Sequence, residues 1–353
     1  MSNNTSHLPQ TIKSFQWTTP SVSPKEALTF NESAPLLPTT TSLTGSNVLV
    51  KVHAAALNPV DWKLMRGGVP RLLMPKIKVP GLDISGTIVA VGPKANKRGF
   101  KVGDEVVAML HFSQSGALTE YTVVEEAYLA RKPERWTHEQ AAAWPLVATT
   151  VWQALVVRGN LKKGDKVLIN GASGGTGTVG VQIAKALGAY VVGVCSTDNV
   201  ELVKKLGADE VVDYKKEDVT EKYTNQDFNL IFDTVGSAAE IWAKSATILK
   251  PSGNLVRISG PDNTMDTPFT FLAAGVDIGY NKISSFLKRG PGYHLFTAFP
   301  DGEVLTKAIN LLNETHADPV IDSVNDFTLP SVLAAFDKSQ SHRAKGKIVI
   351  RIA

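Results

Sequence analysis

The sequence contains a single cysteine, Cys195, among 353 residues. One thiol cannot form an internal disulfide framework or a cysteine-rich zinc site, and it fits a reducing compartment. No stretch of about 18 consecutive apolar residues occurs, so no membrane-spanning helix is expected. Residues 1–17 contain neither the apolar core of a secretory signal nor an arginine-rich presequence, which makes the cytoplasm the expected location.

The sequence also lacks a large excess of one charge, because its 37 Lys and Arg residues are nearly balanced by 33 Asp and Glu residues. The basic residues are scattered, so neither nucleic acid nor a membrane surface is an expected partner. The histidines show no short spacing of the kind that metal sites use, and we predict no metal. They are His7, His53, His111, His138, His294, His316 and His342.

The chain is organised around residues 166–189, KVLINGASGGTGTVGVQIAKALGA. Its apolar run 167–169 is typical of a buried strand, and apolar residues at helical spacing follow a glycine-rich turn. Gly175, Gly177 and Gly180 satisfy G-x-G-x-x-G in the order strand, turn, helix, which favours a dinucleotide diphosphate at the helix start. A ligand-free flexible loop would not need this flanking strand and helix. The expected diphosphate contacts are Ala172, Ser173, Gly174, Gly175, Thr176, Gly177 and Thr178.

The first 130 residues consist mostly of strand-like segments separated by turn signals. The predicted strands lie at 47–57, 79–92, 101–110 and 116–124. This spacing favours an all-β unit of barrel-like form.

The rest of the chain alternates between the two kinds of element. An Ala-rich helix is predicted over 138–157, and Pro145 should kink or divide it. Strands are predicted at 190–195, 210–213, 228–233 and 253–258, with helices at 199–206 and 238–249. The alternation indicates a parallel doubly wound sheet, and hence an α/β protein. Helices 303–313 and 330–338 and a final strand 347–352 close the chain. They are expected to return to the first domain, because a terminal strand needs an existing sheet.

The end of strand 190–195 should lie near the adenosine ribose, where a carboxylate would favour NAD. Ser196 and Thr197 stand there instead and could donate to the additional phosphate of NADP. Asn199 and Tyr214 could border the same pocket. Asp198 is close enough to suggest NAD, but we interpret it as a helix cap that forms a capping box with Glu201. NADPH is therefore the predicted cofactor.

Several segments resemble the zinc-independent quinone oxidoreductase branch of the medium-chain dehydrogenase/reductase family. They are residues 56–68, 79–92, 103–108, 116–124, 140–152, 171–185, 193–218 and 232–236. The resemblance covers about residues 11–353. It implies a GroES-like β-barrel domain, residues 1–135 completed by 291–353, plus a Rossmann doubly wound parallel sheet domain, residues 136–290.

The resemblance departs from the zinc-dependent members of that family at the metal site. Those members carry a cysteine in the first strand–loop and a Gly-His-Glu motif. Here the loop reads Ala55-Ala56-Leu57 and the motif reads Gly81-Leu82-Asp83. A catalytic zinc needs three protein ligands and an open position, so alcohol oxidation at such a site is not expected. Asp83 is expected to fix loops.

The resemblance also implies site residues. It places Asn58 beside the nicotinamide and substrate, and Thr150 near the nicotinamide ribose. Lys63 could donate a proton if the fold buries it, or it could be an inert exposed lysine. The remaining cofactor contacts that it implies are Val235, Gly236, Ser259, Gly260, Arg343, Lys345 and Gly346.

The expected activity is NADPH-dependent hydride transfer to a small quinone or α,β-unsaturated carbonyl without zinc. A trans-acting enoyl reductase of a biosynthetic pathway is one alternative. A nucleotide-binding structural or RNA-binding protein with vestigial reductase activity is another. The resemblance further implies a possible homodimer that pairs through the edge of the Rossmann sheet.

Overall fold

A computed structural model describes residues 8–36, 43–68, 72, 74–95, 97–114, 116–225, 227–236, 244–258 and 291–353. The chain divides into two compact units. The first comprises Met1–Thr149, Phe299–Ile309 and Pro319–Ala353, and the second comprises Thr150–Ala298 and Asn310–Asp318.

The strands and helices of the described residues are numbered in chain order. The strands are β1 (Thr11–Gln16), β2 (Thr29–Pro35), β3 (Asn47–Leu57), β4 (Asp83–Val91), β5 (Glu105–Met109), β6 (Tyr121–Glu125), β7 (Leu129–Arg131), β8 (Lys166–Asn170), β9 (Tyr190–Cys195), β10 (Glu210–Asp213), β11 (Phe228–Asp233), β12 (Leu249–Arg257), β13 (Gly292–Leu295), β14 (Ile321–Asp326) and β15 (Lys347–Arg351). The helices are α1 (Pro24–Ala27), α2 (Pro59–Met65), α3 (His138–Ala142), α4 (Pro145–Trp152), α5 (Gly175–Ala186), α6 (Val200–Lys205), α7 (Val219–Lys222), α8 (Ser245–Ile248), α9 (Gly302–Glu314) and α10 (Leu329–Gln340).

The first unit is built on a sheet with the strand order β14-β15-β3-β4-β5-β7, to which β6 adds by pairing with β3. The final strand β15 runs antiparallel to β3, with Ile348 opposite Leu57. The predicted return of the chain end to the first domain is therefore confirmed. The sheet encloses a core in which Phe15, Met65 and Phe336 are completely buried.

The second unit is a parallel sheet in the order β10-β9-β8-β11-β12-β13. Its central strands are apolar runs because helices cover both faces of such a sheet. Strands β9, β10 and β11 have the predicted bounds. Strand β8 lies between β9 and β11, so successive strands extend the sheet to either side of it. The carboxyl end of β8 is thus the topological switch point, where ligands of this fold bind.

The two units divide the chain differently from the predicted domains. Helix α3 packs on β3 and β4 of the first unit, and its Ala142 lies with Ala54 and Ala56 in one buried cluster. Small alanines on both surfaces allow this close packing. Residues 136–149 accordingly belong to the first unit. Strand β13 pairs with β12 and places residues 291–298 in the second unit, not in the barrel domain.

Pro145 divides the predicted helix 138–157 as expected. Helix α3 ends at Ala142, helix α4 begins at Pro145, and a π-helical segment, Gln153–Arg158, continues it. The predicted helix 238–249 lies partly outside the described residues. Its described part is α8, and Leu249 already belongs to β12. In the described ranges, none of the helices combines the length and apolar character needed to cross a bilayer.

Candidate functional site

The glycine turn after β8 has the tight geometry that its sequence predicts. Gly171 has a φ of +81°, which favours glycine. A Cβ atom on Gly177 would lie 2.0 Å from the carbonyl oxygen of Gly171, so the turn itself requires glycine there. Helix α5 begins at Gly175, with Gly174 as its N-cap. The first N–H groups of a helix have no partner within it and attract anions.

The predicted diphosphate contacts separate into accessible and enclosed groups. Gly175 and Thr176 form the first turn of α5, where backbone N–H groups can meet a phosphate, whereas the Gly174 N–H already donates to the Gly171 carbonyl oxygen at 3.1 Å. Ala172 is completely buried, and its N–H donates to the Val194 carbonyl oxygen at 2.9 Å. Thr178 is 1% exposed, and its hydroxyl donates to the Gly175 carbonyl oxygen at 3.1 Å. The assignments of Ala172 and of the Thr178 side chain as phosphate ligands are therefore corrected, because their donors are already bonded within the turn.

Three polar side chains meet beside this turn. The Asn199 amide nitrogen donates to the Ser173 hydroxyl at 3.1 Å and lies 3.2 Å from the Ser196 hydroxyl. The Asn199 side-chain oxygen is buried and has no hydrogen-bond partner in the described part of the chain. A buried acceptor without a partner is costly, and a bound molecule with hydroxyl donors would relieve it. The ribose of a dinucleotide carries such donors, so the predicted residues fit a dinucleotide here.

The predicted capping box of Asp198 and Glu201 is wrong. Helix α6 begins at Val200 with Asn199 as its N-cap and no side-chain cap, and Asp198 is exposed in a 3₁₀ turn. The turn takes this form because the Thr197 hydroxyl donates to Asp213 at 2.6 Å instead. This hydrogen bond lowers the pKa of the Asp213 carboxyl, which also lies 3.5 Å from the Lys216 ammonium. The Thr197 hydroxyl is therefore already engaged in a hydrogen bond within the protein.

Tyr214 and Val235 are exposed at the carboxyl ends of β10 and β11. Tyr214 is 60% exposed and Val235 is 57% exposed. The N–H groups of Val235 and Gly236 lie 3.1 and 3.3 Å from one oxygen of the buried Asp233 carboxylate, which also accepts from the Asn170 amide at 2.8 Å. Asp233 therefore shapes this edge of the sheet. The predicted contacts Ser259 and Gly260 lie outside the described residues.

The first unit contains a separate polar cluster around Asn58. The Asn58 amide nitrogen donates to the Asp83 carboxylate at 2.9 Å, and the Lys347 ammonium donates to the Asn58 side-chain oxygen. Lys347 also pairs with Asp83 at 3.0 Å, and the Leu146 N–H donates to the other oxygen of Asp83 at 2.7 Å. The side chains of Lys347 and Asp83 are 4% and 0% exposed. This is a buried ion pair that holds an amide between its charges.

Asp61 forms the start of α2 beneath this cluster. One oxygen of its carboxylate accepts the Asn58 N–H at 2.7 Å, while the other oxygen is buried and finds no partner among the residues that the structure describes. Burial raises the pKa of Asp61 from 3.8 to about 7, and the nearby Asp83 carboxylate adds to the rise. The hydrogen bond from the Asn58 N–H and the ammonium groups of Lys347 and Lys78 oppose that rise. The titration of Asp61 is thus shifted toward neutral pH.

Lys63 is not part of the Asn58 hydrogen-bond network that the structure describes. It is half-buried, and its ammonium lies 5.6 Å from the centre of the Trp62 ring. The lysine that contacts Asn58 is Lys347. Sequence reasoning missed Lys347 because it lies 289 residues from Asn58, and only the pairing of β15 with β3 brings the two together.

The remaining predicted site residues are Thr150, Arg343, Lys345 and Gly346. Thr150 is 4% exposed within α4. Arg343 and Lys345 are exposed in the turn before β15, so their reach toward phosphates stays a prediction. Gly346 has a φ of +85°, and a Cβ there would lie 2.1 Å from the Val320 carbonyl oxygen. That close approach accounts for this glycine without a ligand.

The described part of the chain contains no group of three His, Cys, Asp or Glu side chains that could hold a metal ion.

Two known domain families match the chain. Residues 44–134 match the family described as the alcohol dehydrogenase GroES-like domain. Residues 206–350 match the family described as zinc-binding dehydrogenase.

Full-length relatives agree with these matches. The NAD(P)H oxidoreductase RTN4IP1, mitochondrial, of Homo sapiens is 36% identical over 87% of this chain and 82% of its own length. The trans-enoyl reductase pgmF of Aspergillus terreus is 32% identical over 98% of both chains. Among solved structures, the quinone oxidoreductase from Coxiella burnetii matches this chain with a TM-score of 0.79 at 24% sequence identity. The match covers 97% of this chain and 99% of that one, and it shows a likeness of fold. With its GroES-like and Rossmann units and these relatives, the chain belongs to the medium-chain dehydrogenase/reductase family.

Proposed function

We propose that this protein is an NADPH-dependent reductase that transfers hydride to a quinone or an α,β-unsaturated carbonyl compound without zinc. The observation that carries the proposal is the cluster of Ser173, Ser196 and Asn199 beside the glycine turn. It presents hydroxyl and amide groups where the fold binds the adenosine ribose. The relatives named as an NAD(P)H oxidoreductase and a trans-enoyl reductase support the reaction class.

The Ser196 hydroxyl at the end of β9 supports NADPH over NADH. The Asp213 carboxylate, which could otherwise face a ribose, is held by Thr197 and Lys216. Ser196 is half-buried beside Asn199 and offers a neutral hydroxyl donor to a phosphate on the ribose. The exposed Asp198 carboxylate two residues on would repel such a phosphate, so the assignment to NADPH rests on Ser196.

The donor set around Asp83 supports zinc independence. A catalytic zinc site needs three ligands such as His, Cys or carboxylate. The Asp83 carboxylate instead accepts hydrogen bonds from Asn58, Lys347 and Leu146. A buried ammonium 3.0 Å from this carboxylate neutralises it and would repel a divalent cation.

When bound, the nicotinamide supplies the hydride. The protein's own task is to orient the acceptor and to stabilise negative charge on its oxygen. We assign the second N–H of the Asn58 amide to this task. Besides Asp83, the Asn58 nitrogen contacts the Ala56 carbonyl oxygen at 3.5 Å, a distance at which a hydrogen bond is weak. An acceptor that is already activated by conjugation needs no stronger Lewis acid.

The reaction is tested with purified protein, NADPH and a panel of quinones and enones, following the loss of NADPH absorbance. Turnover of at least one acceptor is expected. NADPH binding without turnover of any acceptor would overturn the proposed function.

The choice of cofactor is tested by Ser196→Asp. We expect this added carboxylate to weaken NADPH binding by about tenfold or more, and NADH binding far less, because it repels only the additional phosphate. Asn225→Asp is the matched control, since Asn225 is exposed before the amino end of β11, at the opposite edge of the sheet. Equal weakening of both cofactors by Ser196→Asp would contradict the assignment to NADPH.

A further inference from the structure

We infer that Lys347 and Asp83 are positioning residues that fix the side-chain amide of Asn58 in one orientation for the acceptor. The inference rests on the proposed reductase function. It assigns a role in that function to an ion pair formed by the last strand of the chain and the first residue of β4.

The orientation of the amide follows from the chemistry of its two partners. An ammonium group can only donate hydrogen bonds, and an ionised carboxylate can only accept them. Lys347 donates to the Asn58 side-chain oxygen, and Asp83 accepts from the Asn58 nitrogen at 2.9 Å. A flipped amide would place its oxygen against the carboxylate and its NH₂ group against the ammonium. Both contacts would be repulsive, so only one orientation is compatible with the pair.

Lys347 also polarises the amide. Its ammonium withdraws electron density from the amide oxygen, which favours donation by the N–H groups. The Asp83 carboxylate takes up one N–H, and the described residues offer the nitrogen one further contact, the Ala56 carbonyl oxygen at 3.5 Å. The second N–H is therefore left for the acceptor.

Stability alone does not account for this arrangement. Two buried charges lose their hydration, and apolar residues of similar volume would serve the core at least as well. The components are fixed independently of one another. The Leu146 N–H at the start of α4 holds Asp83, and pairing of β15 with β3 holds Lys347 beside it. Each charge is thus rigidly placed before a substrate arrives.

The test compares single and double substitutions. Lys347→Met leaves the Asp83 carboxylate buried without its cation, so both stability and activity should fall. In the double variant Lys347→Met with Asp83→Asn, both charges are removed and the Leu146 N–H keeps an acceptor. We expect its melting temperature to recover toward the parent value, while kcat for the acceptor stays about 10- to 100-fold low, as for loss of a preorganised donor. NADPH affinity should remain at the parent value in both.

The control is Lys132→Met, which removes another lysine whose side chain is only 5% exposed and which pairs with Glu105 at 2.9 Å. It should lower stability without lowering kcat. Lys347→Arg keeps the charge and should retain more kcat than Lys347→Met. A double variant with the parent kcat would overturn the inference.

A second measurement separates this inference from the proposed function. In the amide proton NMR spectrum, the Asn58 side-chain pair is assigned by its loss in Asn58→Asp. A polarised, fixed amide gives a downfield-shifted and slowly exchanging pair, and Lys347→Met should abolish both properties. If the parent protein turns over no acceptor, the proposed function fails, while the NMR result still supports or overturns the fixed orientation.

Discussion

Two buried carboxylates near Asn58 have different partners. Asp83 accepts three hydrogen bonds, one of them from an ammonium. Asp61 accepts one hydrogen bond, from a backbone N–H, and its second oxygen has no partner among the described residues. Burial raises the pKa of a carboxyl whose lone pairs are not matched, and the pKa of Asp61 is accordingly raised to about 7. The two aspartates therefore differ in how well their surroundings support a negative charge.

We predict that Asp61→Asn changes how stability depends on pH. Because the folded pKa of Asp61 is about 7 and its ordinary value is 3.8, the folded state binds the proton more tightly. Asp61 therefore reduces the stability of the parent protein as pH rises from about 4 to about 7, by at most about 1.4 kcal/mol per pH unit. Asparagine can still accept the Asn58 N–H, so the variant should gain stability relative to the parent over this range. Urea unfolding at pH 5 and pH 8 measures the difference.

The comparison must be between parent and variant, since His53 contributes with the opposite sign. Burial lowers the pKa of His53 from 6.5 to about 4, and His138 beside it adds to the fall. The unfolded state then binds the proton first, so His53 reduces stability as pH falls from about 6.5 to about 4. This contribution is common to both proteins and cancels in their difference. Parallel pH curves for parent and Asp61→Asn would show that Asp61 is ionised at acidic pH.

At the scale of elements, the turn from β8 into α5 contains two glycines, Gly177 and Gly174, whose small size serves different purposes. Gly177 is required by the protein itself, because a Cβ would meet the backbone of Gly171 at 2.0 Å and of Ala172 at 2.8 Å. At Gly174 the nearest atom to a Cβ is the Gly171 oxygen at 3.5 Å, which is ordinary contact. Its extended backbone, with φ of −77° and ψ of 171°, also suits a capping serine.

A matched pair of substitutions should separate the structural requirement at Gly177 from the effect on ligand binding at Gly174. We predict that Gly177→Ser lowers the free energy of unfolding by about 1–3 kcal/mol or more, because backbone must move. Gly174→Ser should leave stability at or above the parent value, since serine can cap the helix, yet weaken NADPH binding because its side chain occupies the place of the diphosphate. Thermal unfolding and fluorescence titration with NADPH measure the two effects. Unchanged NADPH binding in Gly174→Ser would place the diphosphate elsewhere.

The elements that the sequence predicts well are those whose signal is local. Strands β9, β10 and β11 are apolar runs bounded by turn residues, and the sequence predicts their bounds to the residue. Strand β13 has only four residues and no such run, so the sequence does not predict its place in the Rossmann sheet. The sequence predicts only part of the Asn58 cluster, because Lys347 reaches it through strand pairing that no spacing in the sequence reveals.

At the scale of the whole molecule, the outer strands of the two large sheets differ in charge. Among the described strands, β10 and β13 end the Rossmann sheet, and β14 and β7 end the sheet of the first unit, where β7 carries Arg131. Strand β10 carries Glu210 and Asp213, and β14 carries Asp322 and Asp326. Charged residues discourage pairing of a sheet edge with another chain. Strand β13, with the sequence GYHL, carries no Asp, Glu, Lys or Arg.

We therefore predict that the protein forms a homodimer through β13, as the family resemblance also implies. Two copies related by a twofold axis would pair this strand with itself and continue the sheet across the interface. Light scattering after size exclusion should give twice the mass of one chain. Hydrogen exchange supplies the location, because the amides of 292–295 should lose protection on dilution to the monomer, whereas those of β14 should exchange at the same rate in both states. If the protein dimerises but exchange at 292–295 does not change on dilution, the interface lies on another surface. If light scattering gives the mass of one chain at all concentrations, the dimer is excluded.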